Sequence, residues 1–132
     1  MTPATPATLQ VAQAAFQDFA HGLANKDWAP FLAHLSDDFT FWFPTGPFKG
    51  QNTGKDRAKA FFESVSQVFP DGLTLTLERT LSDGNTILFE VRSQGIIWGN
   101  DYDNQAAISF DIEGDKVCAY REYLGVIYKV GD

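Results

Sequence analysis

After Pro70 the chain turns into an unbroken series of period-two segments, and that half of the sequence constrains the fold most. Leu73, Leu75 and Leu77 alternate with Thr74, Thr76 and Glu78. Residues 86–98 set Ile87, Phe89 and Val91 against Leu88, Glu90, Arg92 and Gln94, and residues 104–112 set Ala106, Ile108, Phe110 and Ile112 against Gln105, Ala107, Ser109 and Asp111. A last segment runs over 116–128. Apolar side chains at every second position place one face of a strand in a core and the other towards polar surroundings. The joints Ser82-Asp83-Gly84-Asn85, Gly99-Asn100-Asp101 and Glu113-Gly114-Asp115 are short and carry the Gly, Asn and Asp that tight hairpins need. Four antiparallel strands in sequence are therefore expected.

The first half reads differently. Val11, Ala15, Phe19 and Leu23, with Ala12 and Phe16 beside them, form the stripe of an amphipathic helix over about 8–25, with Thr8 as its N-cap. Asp27 can cap a short second helix carrying Trp28, Phe31, Leu32 and Leu35, with Pro30 in its first turn. Asp37-Asp38 opens a strand in which Phe39, Phe41 and Phe43 alternate with Thr40 and Trp42, and Pro44 ends it. Residues 44–52 have the composition of a loop. Thr53 with Asp56 resembles a capping box before a third helix carrying Ala58, Phe61, Phe62, Val65, Val68 and Phe69, which Pro70 stops. Helices segregated from strands mean α+β. Three helices cover one face of a sheet. The other needs a cover, and a second copy of the chain is the simplest one.

The 132 residues suit one domain, expected over 9–130 behind a disordered lead-in at 1–8. A net charge of −7, with Lys55, Arg57 and Lys59 as the only basic cluster, argues against nucleic acid and anionic membranes. No apolar run approaches the roughly 20 residues that span a bilayer. The first eight residues have no secretory signal pattern, so a cytoplasmic location is expected. One cysteine excludes an internal disulfide and a Cys-based zinc site. His21 and His34 have no metal-ligand spacing, and the acids from Asp101 to Asp115 fit no calcium loop. No phosphate-binding, dinucleotide or Gly-x-Ser-x-Gly pattern occurs. No cofactor is expected.

Three stretches carry a resemblance. They are Ser36-Asp37-Asp38-Phe39-Thr40-Phe41-Trp42-Phe43-Pro44; Phe89-Glu90-Val91-Arg92-Ser93-Gln94-Gly95 with Asn100-Asp101-Tyr102-Asp103-Asn104; and Gly114-Asp115-Lys116-Val117 with Arg121-Glu122-Tyr123-Leu124. With this element order, the chain resembles the SnoaL-like, ketosteroid-isomerase-related group of the NTF2-like fold. That implies an α+β cone in which three N-terminal helices pack on a strongly curved mixed or antiparallel sheet, enclosing a site for a small, mostly apolar molecule. A homodimer is expected from the uncovered sheet face, which is read as carrying Ile87, Phe89, Val91, Arg121 and Tyr123. The fold hosts many activities and does not settle one. Where ketosteroid isomerases resemble this chain and keep a base, an oxyanion-binding tyrosine and a protonated aspartate, it has Phe43, Phe19 and Ile108.

Limonene-epoxide-hydrolase-like members use two acids and an arginine. Arg121-Glu122-Tyr123 resembles their final-strand motif, and Glu90 with Arg92 resembles their pair on the middle strand, in swapped order. Gly125 stands where polyketide cyclases commonly have an Asp. The comparison makes Glu90, Arg92 and Glu122 the candidate catalytic set, with strand parity pointing Cys118, Tyr120, Glu122 and Leu124 inward. Two readings stand: acids with separated pKa values working as acid and base, or a structural ion pair. Trp42, Tyr102, Asn104, Tyr120 and His34 are candidate ligand contacts. For Trp42 the other reading is core packing; for Tyr102, a turn at the dimer edge; for His34, a surface or cap position. Cys118 reads as a buried, inert thiol.

Overall fold

A computed structural model describes residues 2–126. The elements are α1 (Pro6–Asn25), α2 (Ala29–Leu32), β1 (Leu35–Phe43), β2 (Gly50–Thr53), α3 (Lys55–Val68), β3 (Leu73–Asp83), β4 (Thr86–Ile97), β5 (Asn100–Glu113) and β6 (Lys116–Leu124). The expected α+β arrangement is present. The expected last strand over 116–128 and a domain end at 130 run partly outside the described residues.

All six strands share one sheet in the order β2-β1-β6-β5-β4-β3. The β3 to β6 ladder is antiparallel throughout, whereas β1 joins β6 in parallel, Phe41 opposite Tyr120, which makes the sheet mixed. The stretch expected as loop over 44–52 contains β2, which pairs Phe43 with Gly50 and Thr40 with Thr53.

Local chemistry moves several helix ends. α1 begins at Pro6 because Thr5, not Thr8, is the N-cap; its Oγ1 accepts from the Thr8 amide at 3.2 Å. Ahead of it, where a disordered lead-in is expected, the Thr2 amide donates to Asp83 and the Thr2 carbonyl accepts from Gly84. Asp27 does not cap α2; it takes His21 Nε2 at 3.1 Å instead. Gly54, not Thr53, is the N-cap of α3, at φ 102° and ψ 152°, a conformation open to glycine and almost nothing else.

The core lies between the helices and one face of the sheet. Phe19 on α1 is its hub, with ring neighbours Phe31, Phe62, Phe110 and Tyr120 at 5.2 to 6.2 Å. Phe16 stacks on Phe89 of β4 at 4.4 Å. Ile87, Phe89 and Val91 are buried under α1 and belong to the core, not to an uncovered face. Burying three large apolar side chains, at roughly 2 kcal/mol each, decides which way β4 faces. The open face carries Leu88, Glu90 and Arg92 from that strand instead.

Candidate functional site

With β4 set this way, the expected catalytic set divides between two faces. Glu90 lies on the outer face, where Arg79 Nε and Nη2 donate to its two oxygens at 2.8 and 2.9 Å. That hydrogen bond holds the Glu90 carboxyl below the usual carboxylate range. Arg92 donates to Asp103 in the same bidentate way, at 2.9 and 2.6 Å. A third pair joins Arg121 to Asp111 at 3.1 and 2.6 Å, with Thr86 donating to the same Asp111 carboxylate. The outer face is thus laced by cross-strand Arg–carboxylate pairs. Glu90 and Arg92 do not meet Glu122, and the expected acid–Arg–acid cluster does not form.

Glu122 stands alone of the three on the inner face. It is opposite the buried Ile108 of β5. Tyr120, two residues earlier on the same face, donates its hydroxyl hydrogen to Glu122 Oε1. Tyr120 is fully buried among Phe19, Phe61, Phe62 and Phe110. Glu122 keeps partial contact with solvent. Burial among these groups, only partly offset by the Tyr120 hydrogen bond, raises the Glu122 carboxyl from 4.5 to about 7. Burial and the neighbouring carboxylate push the Tyr120 phenol well above 10, so it stays a proton donor to the carboxylate.

The inner face continues towards the β4–β5 hairpin. Ala106 lies opposite Leu124, Asn104 opposite Ser93 and Tyr102 opposite Gly95. The Tyr102 ring meets Phe69 edge-on at 5.0 Å, and its hydroxyl oxygen accepts from Asn104 Nδ2 at 3.1 Å. Asn104 is buried and also brackets Val126: Nδ2 donates to its carbonyl and Oδ1 accepts from its amide, both at 3.2 Å. This hook is absent from the sequence reading. Its one sequence signal is Gly125, where a Cβ would stand 2.7 Å from the Gln105 carbonyl.

Two other expected contacts lie elsewhere. Trp42 is on the outer face against Tyr123, ring centroids 5.2 Å apart. His34 is paired with Asp18 of α1 at 2.7 Å, away from Glu122. Cys118 departs from the expected inward parity. A register shift beside it puts both Val117 and Tyr120 in the core, which turns Cys118 towards Asp111, whose carbonyl it donates to. Burial and the carboxylates of Asp111, Glu113 and Asp38 raise its thiol above the ordinary range. Among the described residues, no His, Cys, Asp or Glu cluster is arranged to hold a metal, and no helix is long and apolar enough to cross a membrane. An open groove of about 870 Å³ lies between the α1–α2 junction and α3, and one of about 450 Å³ lies beside Val126; Glu122 lines neither.

The SnoaL-like domain family matches residues 16–120. The chain belongs to the SnoaL-like family. Among solved structures, an NTF2-like protein from Anabaena variabilis ATCC 29413 is 48% identical, with 96% of each chain covered and a TM-score of 0.90. Two more distant ones share the fold. A candidate SnoaL-like polyketide cyclase from Jannaschia sp. CCS1 is 18% identical over 91% of this chain and 88% of its own, TM-score 0.77. An epoxide hydrolase of the limonene-epoxide-hydrolase-like type from M. tuberculosis is 20% identical over 87% and 83%, TM-score 0.68. No curated protein matches the sequence. In this SnoaL-like chain the final strand sets Glu122 inward beside Tyr120, and Ala106, Leu124, Ser93, Asn104 and Tyr102 continue the same face.

Proposed function

We propose that this SnoaL-like protein binds a small, mostly apolar molecule on its inner sheet face and moves a proton on it through Glu122. One observation carries the reading: a carboxyl set among aromatic side chains, hydrogen-bonded by a buried tyrosine and half-ionised near neutral pH. A carboxyl in that state can take a proton from a carbon acid and return it to a developing anion without a cofactor. Tyr120 orients it and, by donating a hydrogen bond, stabilises its ionised form. Tyr102, with its oxygen lone pair engaged by Asn104, has its own hydrogen available to a substrate oxygen. The reaction class is an isomerisation, cyclisation, elimination or hydrolysis.

The ketosteroid isomerase mechanism is not part of the proposal. Phe19, Phe43 and Ile108 can neither take nor donate a proton. Glu90 and Arg92 are likewise dropped as reacting groups, because each is already engaged on the outer face. The protein is proposed to act in the cytoplasm as a homodimer joined through the open sheet face, where Trp42, Arg121 and Tyr123 lie.

The test uses a panel of small cyclic ketones and enones in deuterated water, followed by proton NMR. Exchange of α-protons by the wild type, lost in Glu122→Gln, is the expected result. Shifts of the Glu122 and Tyr102 signals without exchange would favour a second reading, a ligand-binding or dimerisation module with no turnover. The apolar replacements at the three isomerase positions are the observation on that side.

A further inference from the structure

We propose that the molecule taken up on the inner face is elongated, with an oxygen held by Tyr102 about 13 Å from the carbon whose proton Glu122 moves. The inference rests on the function proposed above. It makes Tyr102 a specificity residue, remote from the reacting carbon.

The strand sets the distance. Glu122 lies opposite Ile108 of β5. The Tyr102 hydroxyl oxygen accepts from Asn104 Nδ2 at 3.1 Å, so the tip of the phenol stands at the level of Asn104. Asn104 and Ile108 are four residues apart, and β4 pairs with that whole stretch without a register shift. At about 3.3 Å per residue the two levels are about 13 Å apart.

The helix gives the same distance independently. α3 carries Phe61 and ends just before Phe69. The Phe61 ring lies 6.4 Å from that of Tyr120, which holds Glu122, and the Phe69 ring lies 5.0 Å from that of Tyr102. Eight residues at about 1.5 Å each separate the two positions by about 12 Å. A hydrogen bond spans about 3 Å. A hydrogen donated by Tyr102 therefore cannot reach an anion formed beside Glu122, and the oxygen it holds belongs to another part of the molecule.

The stretch between the two ends is apolar. Ala106 and Leu124 face each other across the ladder as its floor. Val65 and Val68, which fall between Phe61 and Phe69 on α3, are half-buried against the same core. At the far end Asn104 is already engaged. Its Nδ2 donates to Tyr102 and to the Val126 carbonyl, and its Oδ1 accepts from the Gln105 and Val126 amides. Ser93 gives its hydroxyl hydrogen to the Asn104 carbonyl. Tyr102 is the group there with a hydrogen to give, so it selects an accepting oxygen: a ketone, ether or alcohol. An apolar middle with one polar contact at each end fits an extended chain or a fused ring system bearing that oxygen. A compact ketone reaches one end only.

The experiment compares two pairs of ketones on the full chain at pH 7. The long pair is 10-hydroxydecan-2-one and decan-2-one; the short pair is 4-hydroxybutan-2-one and butan-2-one. Fully extended, the long hydroxyketone sets its hydroxyl oxygen about 12 Å from its methyl α-carbon. Dissociation constants come from NMR titration, and α-proton exchange from the same samples in deuterated water. The hydroxyl is expected to tighten binding about tenfold in the long pair and to add nothing in the short one. Tyr102→Phe, its folding checked by circular dichroism, is expected to erase the tenfold gain and to leave exchange at saturating decan-2-one unchanged. Equal binding of the long pair to the wild type overturns the inference without any variant, and so does an equal gain in the short pair. A lower saturated exchange rate in Tyr102→Phe also overturns it, because that is the mark of a donor beside the reacting carbon. The two proposals fail separately. A binding gain with no exchange keeps the elongated ligand and removes the proton transfer; exchange with no binding gain does the reverse.

Discussion

Replacing Glu122 by Gln should change how stability depends on pH more than it changes stability itself. The carboxyl rises from 4.5 to about 7 on folding, with burial as the main cause. Between those values the unfolded chain has released the proton and the native chain still holds it. Raising the pH therefore favours the unfolded state, and stability is lost from pH 4.5 through pH 7. At about 1.4 kcal/mol per pH unit, a rise of about 2.5 is worth about 3 kcal/mol by pH 8. Partial solvent contact at Glu122 makes that an upper value. Gln cannot ionise and still offers an oxygen to the Tyr120 hydroxyl, so the variant escapes the loss. Urea denaturation of both proteins at pH 4.5, 6, 7 and 8 gives the difference in unfolding free energy at each pH. That difference should swing by up to about 3 kcal/mol in favour of the variant as the pH rises. Other titrating groups cancel in it. A difference constant to within about 0.5 kcal/mol would refute the burial argument.

Four further outcomes follow from the same contacts. Tyr120→Phe removes the hydrogen bond that favours the ionised form, so the Glu122 midpoint should move higher still in a carboxyl NMR titration. Gly22→Ala gains about 1 kcal/mol of helix propensity but brings a Cβ to 2.5 Å from the Trp28 ring. Overpacking of that kind costs about 1–3 kcal/mol, so a net loss of about 1 kcal/mol should appear in chemical denaturation. Asn104→Ala releases the bracket around Val126 and should cost about 1–3 kcal/mol by the same assay. Glu90→Gln should leave the melting temperature and any proton exchange unchanged, because among the described residues the Glu90 carboxylate is hydrogen-bonded by Arg79 alone, at the surface.

The layout of strands was legible because alternation and turn chemistry are local. All three hairpins fall where Gly84, Gly99 and Gly114 allow them, and the helix stripe of α1 is the buried one. The orientation of β4 was legible from its own residues too: Ile87, Phe89 and Val91 outweigh Leu88, Glu90 and Arg92. Turning that strand to bring Glu90 and Arg92 to Glu122 put a catalytic pattern ahead of about 6 kcal/mol of apolar burial. Two other features leave no mark in a single sequence. A register shift in β6 lets Val117 and Tyr120 share a face, which no parity rule anticipates. The parallel pairing of β1 with β6 joins segments far apart in the chain. Of the site, Tyr120 and Glu122 could be placed from their spacing of two. Their hydrogen bond, and the isolation of Glu122 from arginine, depend on the way β4 faces.

The charge state of Glu122 decides whether the proposed proton transfer is open to this protein. A carbon-detected NMR titration of the Glu122 side-chain carboxyl, assigned by its disappearance in Glu122→Gln, measures it directly. A midpoint near 7 is expected. A midpoint near 4.5, where an ordinary solvated glutamate titrates, would contradict it.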